Sequence, residues 1–254
     1  MPELPSLLGL TQDEISATLT EWGESKFRAK QVIDWVFAKR VQSFEDMTTL
    51  SKGLRERLAA TFCLRTMRVA TVTGSEDTTR KLLLRLEDGR FVETVLIPAS
   101  TSLYGERADR LTLCVSSQVG CAYDCKFCAS GLAGFARNLT AAEIVEQVVQ
   151  AEAIAADRVD NIVFMGMGEP LANFSQLTRA IEILNADWGI RIGARRMTVS
   201  TSGLAPQIKK LADIAPQIRL AISLHGASDE VRDQIMPVNR KYPLAELFDA
   251  LTYW

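Results

Sequence analysis

Apolar residues recur at helical spacing through the first sixty residues of the chain. Thr11 and Glu14 form a capping-box pattern that opens the first helix, and Gly23 is placed to end it. A second apolar stripe begins at Phe27, and Ser51 can cap a third helix. The pattern therefore predicts a small helical domain over residues 1–62.

The hydrophobic period then changes to that of strands. Asp88-Gly89 is a hairpin signal between two such runs, and Pro98 ends the second of them. We expect residues 63–100 to form a β-hairpin connector, followed by the polar stretch TSLYGERADR. The predicted strands cover residues 68–72, 81–86 and 91–97.

From residue 101 onward, short runs dense in apolar residues alternate with helical patterns. Buried parallel strands have this composition, and repeated strand-helix units predict an α/β domain over residues 101–254 with a parallel sheet, open or rolled toward a barrel. The predicted strands cover residues 111–115, 161–165, 197–200 and 218–223. The predicted helices cover residues 140–156, 175–184 and 205–212, and Thr140 with Glu143 forms a capping-box pattern that opens the first of them.

Composition and charge exclude several classes of protein. With 47% hydrophobic residues in 254, the chain can bury a sizeable core, and its net charge of -2 excludes a uniformly basic nucleic-acid binder. Ten basic and only four acidic residues nevertheless fall between Lys26 and Arg68. This local excess fits either a solvated helical face or a phosphate-binding patch.

The sequence contains no membrane or export signal. No apolar run approaches the roughly 20 residues that span a bilayer. The N-terminal residues MPELPSLLGL lack the basic start and cleavage pattern of a signal peptide. We therefore expect a cytoplasmic protein that makes no membrane contact.

Three of the five cysteines fall within eight residues. Cys121, Cys125 and Cys128 form a C-x3-C-x2-C pattern, whose soft thiolates are suited to an iron-sulfur cluster. Three ligands would leave one iron of a four-iron cubane open to another molecule. A zinc site completed by Cys114 or by His225, the single histidine, is an alternative, as are three reduced structural thiols.

Further candidate segments follow the other predicted strands. Parallel α/β domains build their sites at the carboxyl ends of strands, so these segments and the cysteine loop would surround one crevice. Taken singly, the glycine-rich segment could be an ordinary turn and the histidine a structural one. The segments are Gly166–Pro170, Ser200–Gly203 and Ser223–Gly226.

These motifs together resemble a known family. The cysteine loop resembles that of the radical S-adenosylmethionine (SAM) superfamily. Within it, several strings resemble the RlmN family of dual-specificity adenine C2-methyltransferases of ribosomal and transfer RNA. The strings are KFRAKQVIDWVF, LCVSSQVGCAYDCKFC, VFMGMGEPLANF, VSTSGLAP and LAISLHGASDEVRDQIMPVNRKY.

The resemblance implies a role for each matching residue. Cys121, Cys125 and Cys128 would ligate a 4Fe-4S cluster. Glu93 would be the proton acceptor and Cys114 the cysteine that resolves a covalent enzyme-RNA intermediate. From the residues alone, we would expect Glu93 to be a solvent-facing carboxylate and Cys114 a buried strand thiol. Residues implied in SAM binding are Gly168, Glu169, Ser200, Ser223, Leu224 and His225.

The resemblance also implies a reaction and its partners. In the family, a 5'-deoxyadenosyl radical abstracts hydrogen from a methylated cysteine, and the resulting methylene adds to carbon 2 of adenine. The partners implied are ribosomal RNA, transfer RNA and an electron donor such as a flavodoxin. A sister enzyme that methylates carbon 8 shares these motifs, and a non-catalytic iron-sulfur or zinc protein is a further alternative.

The sequence departs from the family pattern in one respect. The family carries its methyl-accepting cysteine, and an asparagine that touches the cofactor, in a portion beyond the position matched by Trp254, and no cysteine here follows Cys128. We therefore expect a truncated, partial (β/α) barrel of the radical SAM type that binds its cofactors without completing methyl transfer. Its sheet would have an uncovered edge.

Overall fold

Three helices form the N-terminal part of the computed structural model, which describes residues 4–75, 79–99, 110–132 and 134–254. The predicted capping box of Thr11 and Glu14 is confirmed, Gly23 has a left-handed φ of 83°, and Ser51 caps the third helix. Most of the polar stretch TSLYGERADR lies outside the described residues. The helices are α1 (Gln12–Glu21), α2 (Lys26–Ile33) and α3 (Lys52–Thr61).

Nine strands follow in the described residues, and seven of them form one mixed sheet. The predicted parallel strands are confirmed, and the predicted hairpin strands pair into the same sheet. The strands are β1 (Met67–Thr73), β2 (Arg80–Leu86), β3 (Phe91–Pro98), β4 (Leu111–Cys114), β5 (Gln118–Gly120), β6 (Phe135–Asn138), β7 (Asn161–Phe164), β8 (Met197–Thr201) and β9 (Arg219–Ile222).

The strand order of the large sheet is β1-β2-β3-β4-β7-β8-β9. Strands β1 to β4 are antiparallel neighbours, whereas β4, β7, β8 and β9 run parallel. The described sheet is open rather than closed into a barrel. Strands β5 and β6 form a separate two-stranded sheet, which the sequence analysis did not predict.

Helices connect the parallel strands, as the alternating pattern predicts. Thr140 and Glu143 form the expected capping box at the start of the longest helix. The last two helices were not predicted. The helices are α4 (Ala129–Leu132), α5 (Ala141–Ala155), α6 (Phe174–Asn185), α7 (Ala205–Ile214), α8 (Asp229–Ile235) and α9 (Leu244–Tyr253).

The two faces of the large sheet differ in burial. Side chains on one face, such as Leu84, Leu113 and Val199, are fully buried in the hydrophobic core. The other face, which we call the open face, is only partly buried because alternate strand residues point away from that core. Residues of the open face include Glu93, Val95, Cys114, Val163, Thr198 and Ser200.

Polar contacts attach the helical domain to the α/β layer. The Glu146 carboxylate of α5 accepts the backbone N–H of Thr66 at 2.6 Å, next to the start of β1. Arg40 forms an ion pair with Glu152, also of α5, and Arg179 Nε donates to the Gly9 carbonyl at 2.7 Å. These contacts join residues far apart in sequence.

Candidate active site

The cysteine loop is closed at its base by the β5–β6 pair. Gly120 ends β5 with a φ of 74°, and a Cβ at this position would overlap the Gly134 carbonyl. The Cys121 N–H donates to that carbonyl at 3.2 Å, and Lys126 N–H donates to the Ile235 carbonyl at 2.9 Å. The loop is therefore fixed both at its base and against the end of α8.

A cavity of about 290 Å³ lies at the carboxyl ends of the parallel strands. We call it the strand-end cavity. It brings together the cysteine loop and the three other segments predicted from the sequence. Its lining residues are Cys121, Tyr123, Cys125, Phe127, Cys128, Phe164, Met165, Gly166, Gly168, Glu169, Pro170, Ser200, Thr201, Ser202, Ser223, His225 and Met236.

The three loop cysteines lie close to one another. Burial and the neighbouring Cys121 and Cys128 thiols raise the pKa of Cys125 to about 11. Among the described residues, no three His, Cys, Asp or Glu side chains converge tightly enough for one metal ion. A four-iron cubane is larger than a single ion and takes its thiolates on three different irons. Three soft donors around a cavity therefore fit a cluster better than a zinc ion.

The glycine-rich loop after β7 packs tightly against β5. Gly168 has a φ of 97°, and a Cβ there would lie 2.5 Å from the Cβ of Gln118. The Glu169 N–H donates to Gln118 Oε1 at 2.9 Å, and the Met167 carbonyl accepts the Ser117 N–H at 2.8 Å. The segment is therefore not an ordinary exposed turn, because close contacts and hydrogen bonds fix its backbone at the cavity.

Glu169 is a buried carboxylate, with 4% of its surface exposed. It accepts hydrogen bonds from the Ser202 N–H and hydroxyl, both at 2.8 Å, and from the Leu171 N–H at 3.0 Å. Burial raises the pKa of Glu169, although these hydrogen bonds oppose the shift. The Thr201 side chain also hydrogen-bonds to Glu169, so the carboxylate has a fixed orientation at the cavity wall.

The segments after β8 and β9 meet at the same place. The Ser200 and Ser223 hydroxyl oxygens are 3.4 Å apart, and both residues line the strand-end cavity. His225 has a φ of 51°, uncommon for a non-glycine residue, and its ring packs on Phe127 at 4.3 Å. Leu224 lies between Ser223 and His225 in the sequence, but its side chain is exposed and does not line the strand-end cavity.

A buried arginine that the sequence analysis missed supports these segments. Arg232 of α8 is fully buried and donates to the carbonyls of Ser202 at 3.0 Å, Ser223 at 3.4 Å and Leu224. Its Nε donates to Asn239 Oδ1 at 2.7 Å. One guanidinium thus joins the ends of β8 and β9, an arrangement for which no local sequence pattern exists.

Glu93 and Cys114 lie on the open face beside the strand-end cavity rather than in its lining. Glu93 forms an ion pair with Lys81 at 2.9 Å, with both side chains nearly half exposed. Burial raises the pKa of Cys114, against a hydrogen bond from the Met165 N–H. Since Met165 lines the cavity, Cys114 is one residue away from it.

The basic residues of the helical domain have varied surroundings. Arg65 donates to the carbonyls of Leu64, Arg40 and Val41, so its guanidinium has a structural role. Lys26 and Lys30 are exposed, with no ion pair among the described residues. The local basic excess is thus only partly available to a ligand.

Two further features concern residues outside the site. Cys63 is remote from the cavity, and its thiol donates to the Leu4 carbonyl at 3.3 Å, which indicates a structural role. Among the described helices, none combines the length and apolar character needed to cross a bilayer.

Comparison with known proteins gives matches over the whole chain. The sequence matches the ribosomal RNA large subunit methyltransferase N-terminal domain over residues 6–64 and the radical SAM superfamily over residues 115–254. It is similar to a crystal structure of a radical SAM methyltransferase from Sphaerobacter thermophilus. The TM-score is 0.89 and the identity 41%, covering 97% of this chain and 71% of that one.

Curated relatives extend the match. A probable dual-specificity RNA methyltransferase RlmN of Akkermansia muciniphila is 56% identical over 254 residues, which is all of this chain and 71% of the relative. The Bacillus subtilis protein of the same name is 46% identical over 99% of this chain and 68% of its own length.

The open α/β sheet, the three-cysteine loop and the strand-end cavity define a radical SAM enzyme, a class that uses a 4Fe-4S cluster and SAM. Within that superfamily, the chain belongs to the RlmN family of RNA methyltransferases.

Proposed function

We propose that these 254 residues form the cofactor-binding part of an enzyme that methylates carbon 2 of adenosine in ribosomal RNA and in transfer RNA, next to the anticodon, through a methyl-cysteine intermediate. The observation that carries the proposal is the strand-end cavity, where the loop cysteines, Glu169 and the Ser200–Ser223 pair meet. The names of the relatives support the two RNA substrates.

In this proposal, each group in the cavity has one task. Cys121, Cys125 and Cys128 hold the 4Fe-4S cluster. When bound, the cluster supplies the electron that cleaves SAM reductively. Glu169 accepts a hydrogen bond from the cofactor's ammonium group, because its carboxylate is held at the cavity wall by Ser202 and carries the opposite charge.

The remaining predicted residues shape the SAM site. Gly168 lets the glycine-rich loop pack closely against β5 at the edge of the cavity, since a side chain there would meet Gln118. Ser200 and Ser223 place two hydroxyl groups on the cavity wall for the polar part of the cofactor. His225 completes the cavity wall, and Leu224, which lies outside the lining, would contact the cofactor only through its backbone.

Glu93 and Cys114 would act on the RNA rather than on the cofactor. Both lie on the open face beside the strand-end cavity, and we place the target adenine there. We assign Glu93 to take the proton from carbon 2 and Cys114 to resolve the covalent link between enzyme and RNA. The methyl-accepting cysteine of the family is not among the 254 residues.

The partners and location follow from this chemistry. We propose that the helical domain of residues 1–62 helps to dock folded RNA through phosphate contacts. A small electron-transfer protein such as a flavodoxin would deliver the electron. Both substrates are cytoplasmic RNAs, so the protein would act in the cytoplasm.

Spectroscopy of the cluster tests the proposal. Reconstituted anaerobically and reduced, the protein should show an iron-sulfur electron paramagnetic resonance signal that changes when SAM is added. An unchanged signal would contradict the proposal. Mass spectrometry of nucleosides from RNA treated with the full gene product should find 2-methyladenosine, whereas 8-methyladenosine would identify the sister activity.

A further inference from the structure

Three exposed side chains lie in one row across the first three strands. Arg68 of β1 pairs with Arg85 of β2, and Arg85 pairs with Phe91 of β3. Paired residues of antiparallel strands point to the same face, so all three side chains project together. Both arginines are exposed, and Phe91 is 44% exposed. We call these three residues the β1–β3 row.

The two arginines have no partner within the part of the chain that the structure describes. Like charges directly opposite each other in a ladder are destabilising, and no carboxylate here neutralises Arg68 or Arg85. A local arrangement that opposes stability is expected chiefly at functional positions.

A cavity of about 360 Å³ lies beside this pair, between the start of β1 and the end of β2. Arg68, Arg85 and the fixed guanidinium of Arg65 line it, together with one carboxylate, Glu87. Three arginines against one glutamate make the cavity electropositive. A phosphate group therefore complements its charge, and arginine binds phosphate in a bidentate manner.

The β1–β3 row lies on the open face of the sheet. Glu93 follows Phe91 by two residues along β3 and so has the same orientation, and Val95, two residues further, pairs with Cys114. At about 3.3 Å per residue, Phe91 lies roughly 13 Å along β3 from Val95, the residue that pairs with Cys114. This distance corresponds to a few nucleotides of extended RNA.

We propose that the β1–β3 row binds the single-stranded RNA beside the target adenosine, with Arg68 and Arg85 on a backbone phosphate and Phe91 stacked on a base. Single-stranded RNA is commonly recognised by aromatic stacking combined with arginine-phosphate contacts. This inference rests on the proposed function, because it takes RNA as the substrate.

The phosphate contact is tested by salt-dependent binding of an RNA hairpin with an adenosine in its loop. The variant Arg68→Ala/Arg85→Ala should bind at least about tenfold more weakly at low salt. The slope of log affinity against log salt should fall by about 0.7, because the variant loses one single-strand phosphate contact. A slope and affinity equal to those of the unaltered protein would overturn the inference.

The matched control is Arg195→Ala/Lys210→Ala. Both residues are exposed, without an ion pair in the described ranges, and their removal changes the net charge by the same amount. This control should retain the salt slope of the unaltered protein. An equal loss in both variants would mean that net charge alone, not the β1–β3 row, determines binding, and would overturn the inference.

The stacking contact is tested with Phe91→Leu and Phe91→Trp. Loss of one base stack should weaken RNA binding by about fivefold to a hundredfold in Phe91→Leu, whereas Phe91→Trp should restore it. Equal Tm values exclude a folding defect. If Phe91→Leu binds as tightly as the unaltered protein, Phe91 does not stack on RNA.

The same samples separate this inference from the proposed function. If the electron paramagnetic resonance signal of the unaltered protein does not change when SAM is added, the proposed function is wrong. If that signal responds to SAM and the unaltered protein binds the hairpin, but the Arg68→Ala/Arg85→Ala variant is unchanged, only the assignment of the β1–β3 row fails.

Discussion

The strand-end cavity and the β1–β3 row occupy one sheet but are built differently. Around the cavity, polar groups such as Glu169 and Arg232 are buried and hydrogen-bonded in the fold. In the row, Arg68 and Arg85 project into solvent without partners in the described residues. The first arrangement suits a small cofactor that needs a preformed site. The second suits a polymer whose charge supplies the missing partners.

The largest effect on the cavity is expected from the cysteine loop. Cys125→Ser should abolish or nearly abolish cluster assembly, because a hydroxyl is a poor substitute for a soft thiolate ligand. Cluster assembly is measured by the iron content and the brown absorbance after anaerobic reconstitution. Cys63→Ser is the matched control, since Cys63 is remote from the cavity, and it should load iron normally. Normal iron content in Cys125→Ser would remove this cysteine from the ligand set.

A smaller but still large effect is expected from the buried arginine. Arg232→Met leaves the carbonyls of Ser202, Ser223 and Leu224 without their donor, which should lower the free energy of unfolding by about 3 kcal/mol. Urea unfolding measures the change. The control Arg196→Met breaks only an exposed pair with Asp160 and should cost less than about 1 kcal/mol. Equal losses in the two variants would contradict the role given to Arg232.

The glycine-rich loop should show an intermediate effect. Gly168→Ala combines a left-handed φ with a clash against Gln118, so we expect a loss of about 1–3 kcal/mol and weaker SAM binding. Thermal unfolding and equilibrium dialysis with SAM measure the two effects. Gly193→Ala is the control, because Gly193 has a φ of -60° and nothing within 4 Å of a Cβ. If both substitutions lower stability and SAM binding equally, the close approach of Gly168 to Gln118 contributes to neither.

The smallest effect concerns the hairpin turn between β2 and β3. Partial burial opposes ionisation of Asp88, but hydrogen bonds from Arg137 and Arg90 outweigh it and lower the pKa of Asp88 to about 2. The carboxylate therefore stabilises the fold above about pH 4, and this contribution is lost as the pH falls toward 2.

Asp88→Asn should reduce the free energy of unfolding by about 1 kcal/mol or less at pH 7, as is usual for partly exposed ion pairs. The difference from the unaltered protein should shrink between pH 4 and pH 2, and urea unfolding at several pH values measures it. A difference that stays constant over this range would show that the Asp88 charge is not responsible.

Most of the fold was predictable because its elements carry local signals. The capping boxes at Thr11 and Thr140 and the turn at Asp88-Gly89 depend on short-range chemistry, and each is found where predicted. Strands β5 and β6 were missed because they are only three and four residues long and lack an alternating apolar pattern. Their tight pairing depends on Gly120 and Gly134, which meet only in the folded chain.

The candidate site was predictable to a similar extent and for the same reason. The four segments around the strand-end cavity follow predicted strands, so the rule for parallel sheets was sufficient to bring them together. Helices α8 and α9 were missed, although Ser228 caps α8 and the spacing of Leu244, Leu247 and Leu251 is helical. The role of Arg232 depends on carbonyls from two other segments, which no sequence pattern records.

In metalloproteins, folding of the metal-binding loop is often coupled to binding of the metal. The closed base of the cysteine loop separates these two events. The Gly120–Gly134 contact and the hydrogen bond from the Lys126 N–H to the Ile235 carbonyl connect the loop to the rest of the fold through protein atoms. Oxygen damage that removes the iron and sulfide of the cluster would therefore leave the cysteine loop folded. Repair then requires only fresh iron and sulfide, and the polypeptide need not be folded anew.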